Sequence, residues 1–543
     1  MLTAKHFKEN QEILFDRFPK IGFLLRDLSL SKIPKIKSDW IQTKEIENAD
    51  ALYIYGLGLG ESYLQLKEWL GSKRSLIYIE DNPSHLATFL HTEHAKGILQ
   101  DPKVHLYFLF PNEKEALTDE LAQTFPVKRI EALAAPHKTK KKFFETFRLD
   151  LFRKTTLSEG LLLDRFYSYI PFANTVANFK RLPSSFMVNQ WKGAFTGIPA
   201  ILCGAGPSLK NAIPQLKTLQ NKALIIAGGS AIAALTSQGV QPHLGIMVDP
   251  NHEELERCKA SFGFEIPMIY HLRTKKEIFS TFNGPTGYLR SAIASVADIW
   301  LEEELGVKGP LIGEKLSKEA LSVTSLSLAM AIFFGCSPII LAGVDLAYSA
   351  GKRYAEGVTE NNTIQKDTLI AEDRIVEKNG LLTNVRWVME ASVLSAYAKR
   401  FPKVSFFNAS SGLSIPHFKP LKEIDFLRSY DLSGMLYAQI QKTKFSTDQV
   451  GAVLEKLKAS LLKCQEFASI LVRESAVSQE SGRMVVAQMD LEEEIAYQVL
   501  FYDTLPLLSH YIRRENPEGE PVHEKWKAFQ LIVNEYIKLF IYS

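Results

Sequence analysis

The five residues Gly204-Ala205-Gly206-Pro207-Ser208 follow a short apolar run, Ala200–Cys203, and precede a helical pattern, Lys210 to Leu219. Glycine lets a backbone approach a ligand closely, because no Cβ intervenes. Pro207 suits a first helical position, where its missing N–H leaves no bond unmade. Ser208 sets a hydroxyl beside the unpaired amides of a helix start, which attract a phosphate through free donors and the helix dipole. The same residues also suit a tight strand-to-helix turn with no ligand.

Three further apolar runs stop at small or polar residues. Ala223–Ala227 ends in Gly228-Gly229-Ser230, Leu244–Val248 in Asp249-Pro250-Asn251, and Ile339–Gly343 in Val344-Asp345 and on to Tyr348. A late run, Val404–Phe407, ends in Asn408 and continues to Ser411-Gly412. In an open parallel sheet, ligands bind in the crevice outside the carboxyl ends of the strands. All these ends are then expected around one pocket. Asp249 would accept from a ribose or base, or would cap a helix. Tyr348 and Tyr354 would donate phenolic hydrogen bonds to a phosphate, or would sit at the core edge.

A second glycine-rich turn, Gly56-Leu57-Gly58-Leu59-Gly60, follows the run Ala51–Tyr55, and Glu80 ends the next run, Ser75–Ile79. This pattern suits a ribose-binding carboxylate beside a dinucleotide or adenosyl-methionine turn. It also suits a purely structural β-α-β unit. His85, His91, His94 and His105 lie nearby without a clean paired-histidine helix motif and are read as surface residues, so no metal site is expected. The basic run His137–Lys142 reads as a solvated helix start rather than a nucleic-acid patch.

The elements that must hold these residues follow from the pattern of short runs. Continuous apolar runs are how strands buried on both faces read, and their alternation with helices implies a mostly parallel sheet. The expected fold class is α/β: a Rossmann-like N-terminal domain over 1–115, a helical connection over 116–195, a central doubly wound domain over 196–418 and a helical C-terminal domain over 419–543. The chain has 543 residues, a hydrophobic fraction of 46% and a charged fraction of 23%, as expected of folded soluble domains. The net charge of +3 gives no general field for nucleic acid or anionic lipid. Cys203, Cys258, Cys336 and Cys464 are far apart, which argues against disulfides and structural zinc and fits a reducing cytoplasm. Ser325 to Val344 is uncharged, but Gly335-Cys336-Ser337-Pro338 interrupts it. It reads as a buried helix, a turn and a buried strand rather than a membrane span.

Gly204–Ser208, Asp249-Pro250, Gly343–Tyr348 and Asn408–Ile415 together resemble the motility accessory factor family of flagellin glycosyltransferases, with an MptE-like core that is similar to bacterial sialyltransferases. The likeness is good from Gly197 to about His417 and looser from Asp50 to Phe110. It implies transfer of a nonulosonic (pseudaminic, legionaminic or sialic type) sugar from a CMP donor to Ser or Thr hydroxyls of a flagellin-like acceptor protein, in the cytoplasm. By this resemblance Gly206-Pro207-Ser208, Ser230, Asp249, Thr324-Ser325, Tyr348 and Tyr354 line the CMP pocket, and the two tyrosines stabilise the leaving group. No cofactor is required, although Mg²⁺ is compatible. The sialyltransferases place Asn where this chain has Ala205 and Asp249, and use a histidine base after the second tyrosine. No histidine occurs between Tyr354 and Pro416, so Asp373 and Glu377 are the candidate bases. The same core is similar to an archaeal pterin pyrophosphokinase, for which Asp249 and Asp345 would supply metal ligands. Loss of the base also leaves room for a non-catalytic nucleotide-binding protein.

Overall fold

A computed structural model describes residues 4–23, 30, 32–33, 40–42, 46–71, 74–125, 129–317, 322–349, 352–358, 375–440, 445–478, 481–515 and 521–543. Two compact units emerge. The first is built mainly from residues 1–162, and the second from most of 163–543.

The first unit carries a four-stranded parallel sheet, β1 (Ala51–Tyr55), β2 (Ser75–Glu80), β3 (Val104–Phe108) and β4 (Ile130–Ala134), in the order β3-β2-β1-β4. All five residues of β1 are buried, as expected for a strand covered on both faces. The chain leaves β1 in one direction to form β2 and β3 and returns on the other side as β4. The switch point therefore lies between β1 and β4. The sequence pattern assigned this last strand to a helical connection. Ile130-Glu131-Ala132-Leu133-Ala134 is alanine-rich and half-buried in an alternating pattern, so propensity favours helix while sheet pairing decides the outcome.

The second unit holds a nine-stranded sheet: β5 (Phe186–Met187), β6 (Ala200–Cys203), β7 (Leu224–Gly228), β8 (Leu244–Met247), β9 (Met268–Tyr270), β10 (Thr286–Tyr288), β11 (Ile339–Ala342), β14 (Phe406–Asn408) and β15 (Lys419–Pro420). A separate two-stranded sheet pairs β12 (Ile375–Lys378) with β13 (Leu381–Asn384). The large sheet runs β15-β14-β11-β6-β7-β8-β9-β10-β5, with parallel pairing throughout. The strand β6 lies inside the sheet. From it the chain winds outward through β7 to β10, then begins again on its other side at β11. The topological switch point is therefore between β6 and β11.

The uncharged stretch divides as its turn residues imply, into the helix Val323–Phe333 and the strand β11. No helix among the described residues is long and apolar enough to cross a membrane. After β15 the chain is helical, with long helices Thr447–Ser475 and Val522–Tyr542. Their apolar faces share one continuous core with the helix Tyr169–Phe179 and the large sheet. Phe172 meets Tyr536 with ring centroids 4.8 Å apart, and the Ser168 and Tyr536 hydroxyls share a hydrogen bond of 2.7 Å.

Candidate functional site at the switch point of the large sheet

Because every strand runs parallel, the turns after β6, β7, β8, β11 and β14 all leave the same edge of the sheet. The two that flank the switch point are joined directly. Gly204 N–H donates to Ala342 O and Gly206 N–H to Gly343 O, both at 2.8 Å. A Cβ on Gly204 would stand 2.5 Å from Gly343 O, and one on Gly206 would stand 2.7 Å from Asp345 Oδ2. Both glycines are thus needed because two backbones touch.

Asp345 is buried and closes the joint. Its carboxylate accepts from Ser208 N–H at 2.8 Å and from the Ser208 hydroxyl. The helix that follows is Leu209–Thr218, with Ser208 as its N-cap, so Pro207 lies before the helix rather than at its first position. Leu209 N–H is taken by Gly206 O at 3.0 Å. The amides expected to receive a phosphate at Gly204, Gly206 and Ser208 are therefore already committed, and a carboxylate from the neighbouring turn takes the place of an external anion.

The loop after Asp345 is held as firmly. Leu346 adopts φ of 50°, a left-handed conformation that costs a non-glycine residue about 1–2 kcal/mol. Its carbonyl accepts from Thr383 Oγ1 at 2.7 Å. Val344 N–H donates to Ser410 Oγ, and Ser410 N–H donates to Asn408 Oδ1, at 2.8 and 3.0 Å. Asn408 thus shapes the turn after β14, while Ser411 is exposed. A Cβ on Gly412 would lie 1.7 Å from Asp345 O, so no other residue fits there.

Tyr348 is buried, with its ring 4.7 Å from that of Trp387. Tyr354 is half-buried, and the guanidinium of Arg353 lies over its ring at 5.1 Å. The next residue ties this loop to the glycine turn, through Ala355 N–H to Ala205 O at 2.8 Å. Asp249 is about half exposed, 3.6 Å from Arg257, and Asn251 is the N-cap residue of the helix His252–Lys259 without a side-chain cap bond. Ser230 is half-buried in the first turn after β7. The start of the helix Val323–Phe333 reaches the same end of β7, because a Cβ on Gly228 would meet Val323 Cγ1 at 2.4 Å.

Thr324 and Ser325 lie in a capping box opened by Ser322. Glu390 was not anticipated. It is the one charged residue in the stretch Trp387–Leu394, and that interruption was the available signal. Its carboxyl accepts from Ser322 Oγ at 2.6 Å and from the Thr324 side chain. Burial pushes its pKa up despite these bonds. Of the two candidate bases, Glu377 is exposed on β12, and Asp373 lies outside the described residues.

Two asparagines of the helix Tyr169–Phe179 brace the far rim. Asn174 Nδ2 donates to the carbonyls of Pro250 and Arg273, at 3.2 and 3.1 Å. Asn178 Nδ2 donates to those of Leu272 and Thr274, at 2.8 and 2.6 Å. His271, just past β9, is fully buried, and burial lowers its pKa to about 4.

The glycine turn of the first unit is built differently. Gly56, Gly58 and Gly60 have φ of 105°, 61° and 89°, which only glycine adopts without strain. Glu80, predicted to hold a ribose, is fully buried and faces its own chain. It accepts Leu57 N–H at 3.1 Å and the amides of Asp81 and Asn82 at 3.0 Å, and it pairs with Lys138. Lys138 also pairs with Asp81. Burial opposes ionisation of Asp81, but hydrogen bonds from Lys138 and Tyr55 outweigh it and bring its carboxyl down to about 2. A Cβ on Gly56 would meet Lys138 Cε and Cγ at 2.9 Å and His137 Cε1 at 3.0 Å. These side chains fill the space above the turn. His85 is mostly buried beside them rather than on the surface, and burial lowers the pKa of both His85 and His137.

Residues 173–351 match the family model described as 6-hydroxymethylpterin diphosphokinase MptE-like. No curated protein matches the chain. The solved structure of MAf glycosyltransferase from Magnetospirillum magneticum AMB-1 is similar, with a TM-score of 0.52 at 15% identity, over 99% of this chain and 96% of that one. At that identity the likeness shows the fold. The MptE-like core and the fold shared over nearly the whole length together bear out the resemblance to the motility accessory factor family that the motifs carry.

Proposed function

We propose that the chain is a glycosyltransferase that moves a nonulosonic sugar from a CMP donor to Ser or Thr hydroxyls of a flagellin-like protein. The observation that carries this reading is the joint at the switch point of the large sheet. There the Gly204–Ser208 turn, the Asp345 loop and the Tyr354 loop are hydrogen-bonded into one rim. In this reading Asp345 and Ser208 are positioning residues that set the rim's shape. Ser230 and Asp249 face the ribose and base, and Tyr354 donates to the departing phosphate as charge develops on it. Thr324, oriented by Glu390, lies at the start of a helix beside the end of β7.

The match to the 6-hydroxymethylpterin diphosphokinase MptE-like family keeps pyrophosphoryl transfer from ATP as a second reading. That chemistry needs clustered carboxylates on a metal. Asp345 is buried and bonded to Ser208, which leaves Asp249 without its expected companion.

Thermal shift separates the two. CMP and a CMP-activated nonulosonic sugar raise Tm if the first reading holds, by about 2.7 kcal/mol of added stability at a hundredfold excess over Kd. Tyr354→Ala removes most of that gain without unfolding the chain. A rise with ATP and Mg²⁺ but none with CMP overturns the reading. A mass increase on a co-expressed acceptor protein, dependent on this chain, establishes transfer itself.

A further inference from the structure

Glu80, His85 and His137 bring one carboxylate oxygen and two imidazole nitrogens within 4.8 Å of one another. His85 Nδ1 stands 3.7 Å from Glu80 Oε1, and the two imidazole centroids are 5.7 Å apart. His85 Nδ1 and both ring nitrogens of His137 are buried and make no hydrogen bond among the described residues. Leaving a buried polar nitrogen unpaired forfeits its hydration with nothing in return, so three of them at one spot call for a ligand.

The place is also right. The cluster stands at the carboxyl ends of β2 and β4, over the glycine that follows β1. This is the switch point of the small sheet, where open α/β sheets take their ligands. Gly56 is the residue that gives His137 and Lys138 room, since a side chain there would collide with both.

We propose that Glu80, His85 and His137 form a binding site for one divalent transition cation of the zinc type. Two imidazoles and a carboxylate suit such a borderline cation, whereas Mg²⁺ and Ca²⁺ prefer oxygen throughout. Three protein ligands leave a fourth position for water or a ligand atom. Lys138 now pairs with Glu80, and it has Asp81 as a second partner. The cation takes the Glu80 oxygen while Lys138 keeps its pair with Asp81, so no buried charge is stranded. The site is independent of the nucleotide chemistry proposed for the large sheet.

The test uses the full chain stripped with a chelator, titrated with Zn²⁺ by calorimetry and with Co²⁺ by visible absorption. The expected result is a single saturable site with a Co²⁺ d–d band. His85→Asn and His137→Asn, each with unchanged circular dichroism, weaken it by at least about tenfold. In the wild type, X-ray absorption at the zinc edge of the loaded chain also reports two imidazole ligands, which needs no variant to fold. Absence of saturable Zn²⁺ binding by the folded chain, wild-type affinity in both variants, or a zinc shell without imidazole overturns the proposal.

Discussion

The two glycine-rich turns look alike in sequence and are built on opposite principles. After β1, the glycines are required by left-handed backbone, with φ from 61° to 105°. After β6, Gly204 and Gly206 are required by the closeness of a second backbone, 2.5 to 2.7 Å from where a Cβ would stand. In both, a buried carboxylate at or just past the end of a neighbouring strand accepts one amide of the turn, Leu57 N–H by Glu80 and Ser208 N–H by Asp345. Glu80 is balanced there by Lys138. Asp345 makes no ion pair among the described residues and is held by Ser208. A glycine turn at a switch point therefore marks a place where chains converge, and the neighbouring carboxylate shows how its amides are spent.

Breaking the charge balance of the first turn should have the largest effect. Lys138→Met strands the buried Glu80 with no cation and leaves Asp81 only the exposed Lys140, and is expected to cost about 3–5 kcal/mol, measured as a loss of denaturant stability in the first unit. A cost under about 1 kcal/mol would mean that solvent reaches the pair.

Acid sharpens the contrast from the side of the large sheet. His271 titrates at about 4 when folded and near 6.5 when unfolded, so its neutral form favours the fold above pH 6.5. That contribution is lost as pH falls toward 4, since the unfolded chain then binds the extra proton. The expected loss is roughly 3 kcal/mol. His271→Leu should flatten stability over that window. An unchanged pH profile in the variant would refute it.

Asp345→Ala removes the acceptor for Ser208 N–H and its hydroxyl. It is expected to cost about 2–3 kcal/mol and to weaken CMP binding with it, checked by denaturation and calorimetry. The smallest effect separates the two reasons for glycine. Gly56→Ala meets only the flexible stem of Lys138 and the edge of His137 and should cost about 1–2 kcal/mol for its backbone alone. Gly204→Ala meets a carbonyl oxygen that cannot move aside and should cost more. A reversed order would show that φ, and not contact, governs both turns.

Much of this was legible because buried parallel strands leave continuous apolar runs. β1, β2, β6, β7, β8 and β11 lie where such runs stop at glycine or a polar residue. β4 was hidden by alanine, and β5 and β10, of two and three residues, are too short for any period to show. The site was legible as a set of strand ends, because topology alone brings parallel ends to one edge. The inward use of Asp345 and Glu80 was not, because a carboxylate after a strand reads the same whether it faces a ribose or its own backbone. Glu390 and the His85–His137 pair depend on contacts between residues 68 and 52 positions apart, which no local pattern records.

The bracing of the far rim by Asn174 and Asn178 places control of one lip of the crevice on a helix that precedes the whole sheet in the chain. That helix also packs on the last one through Phe172 and Tyr536. A displacement of the last helix would therefore pass first to the helix that holds the segments after β8 and β9.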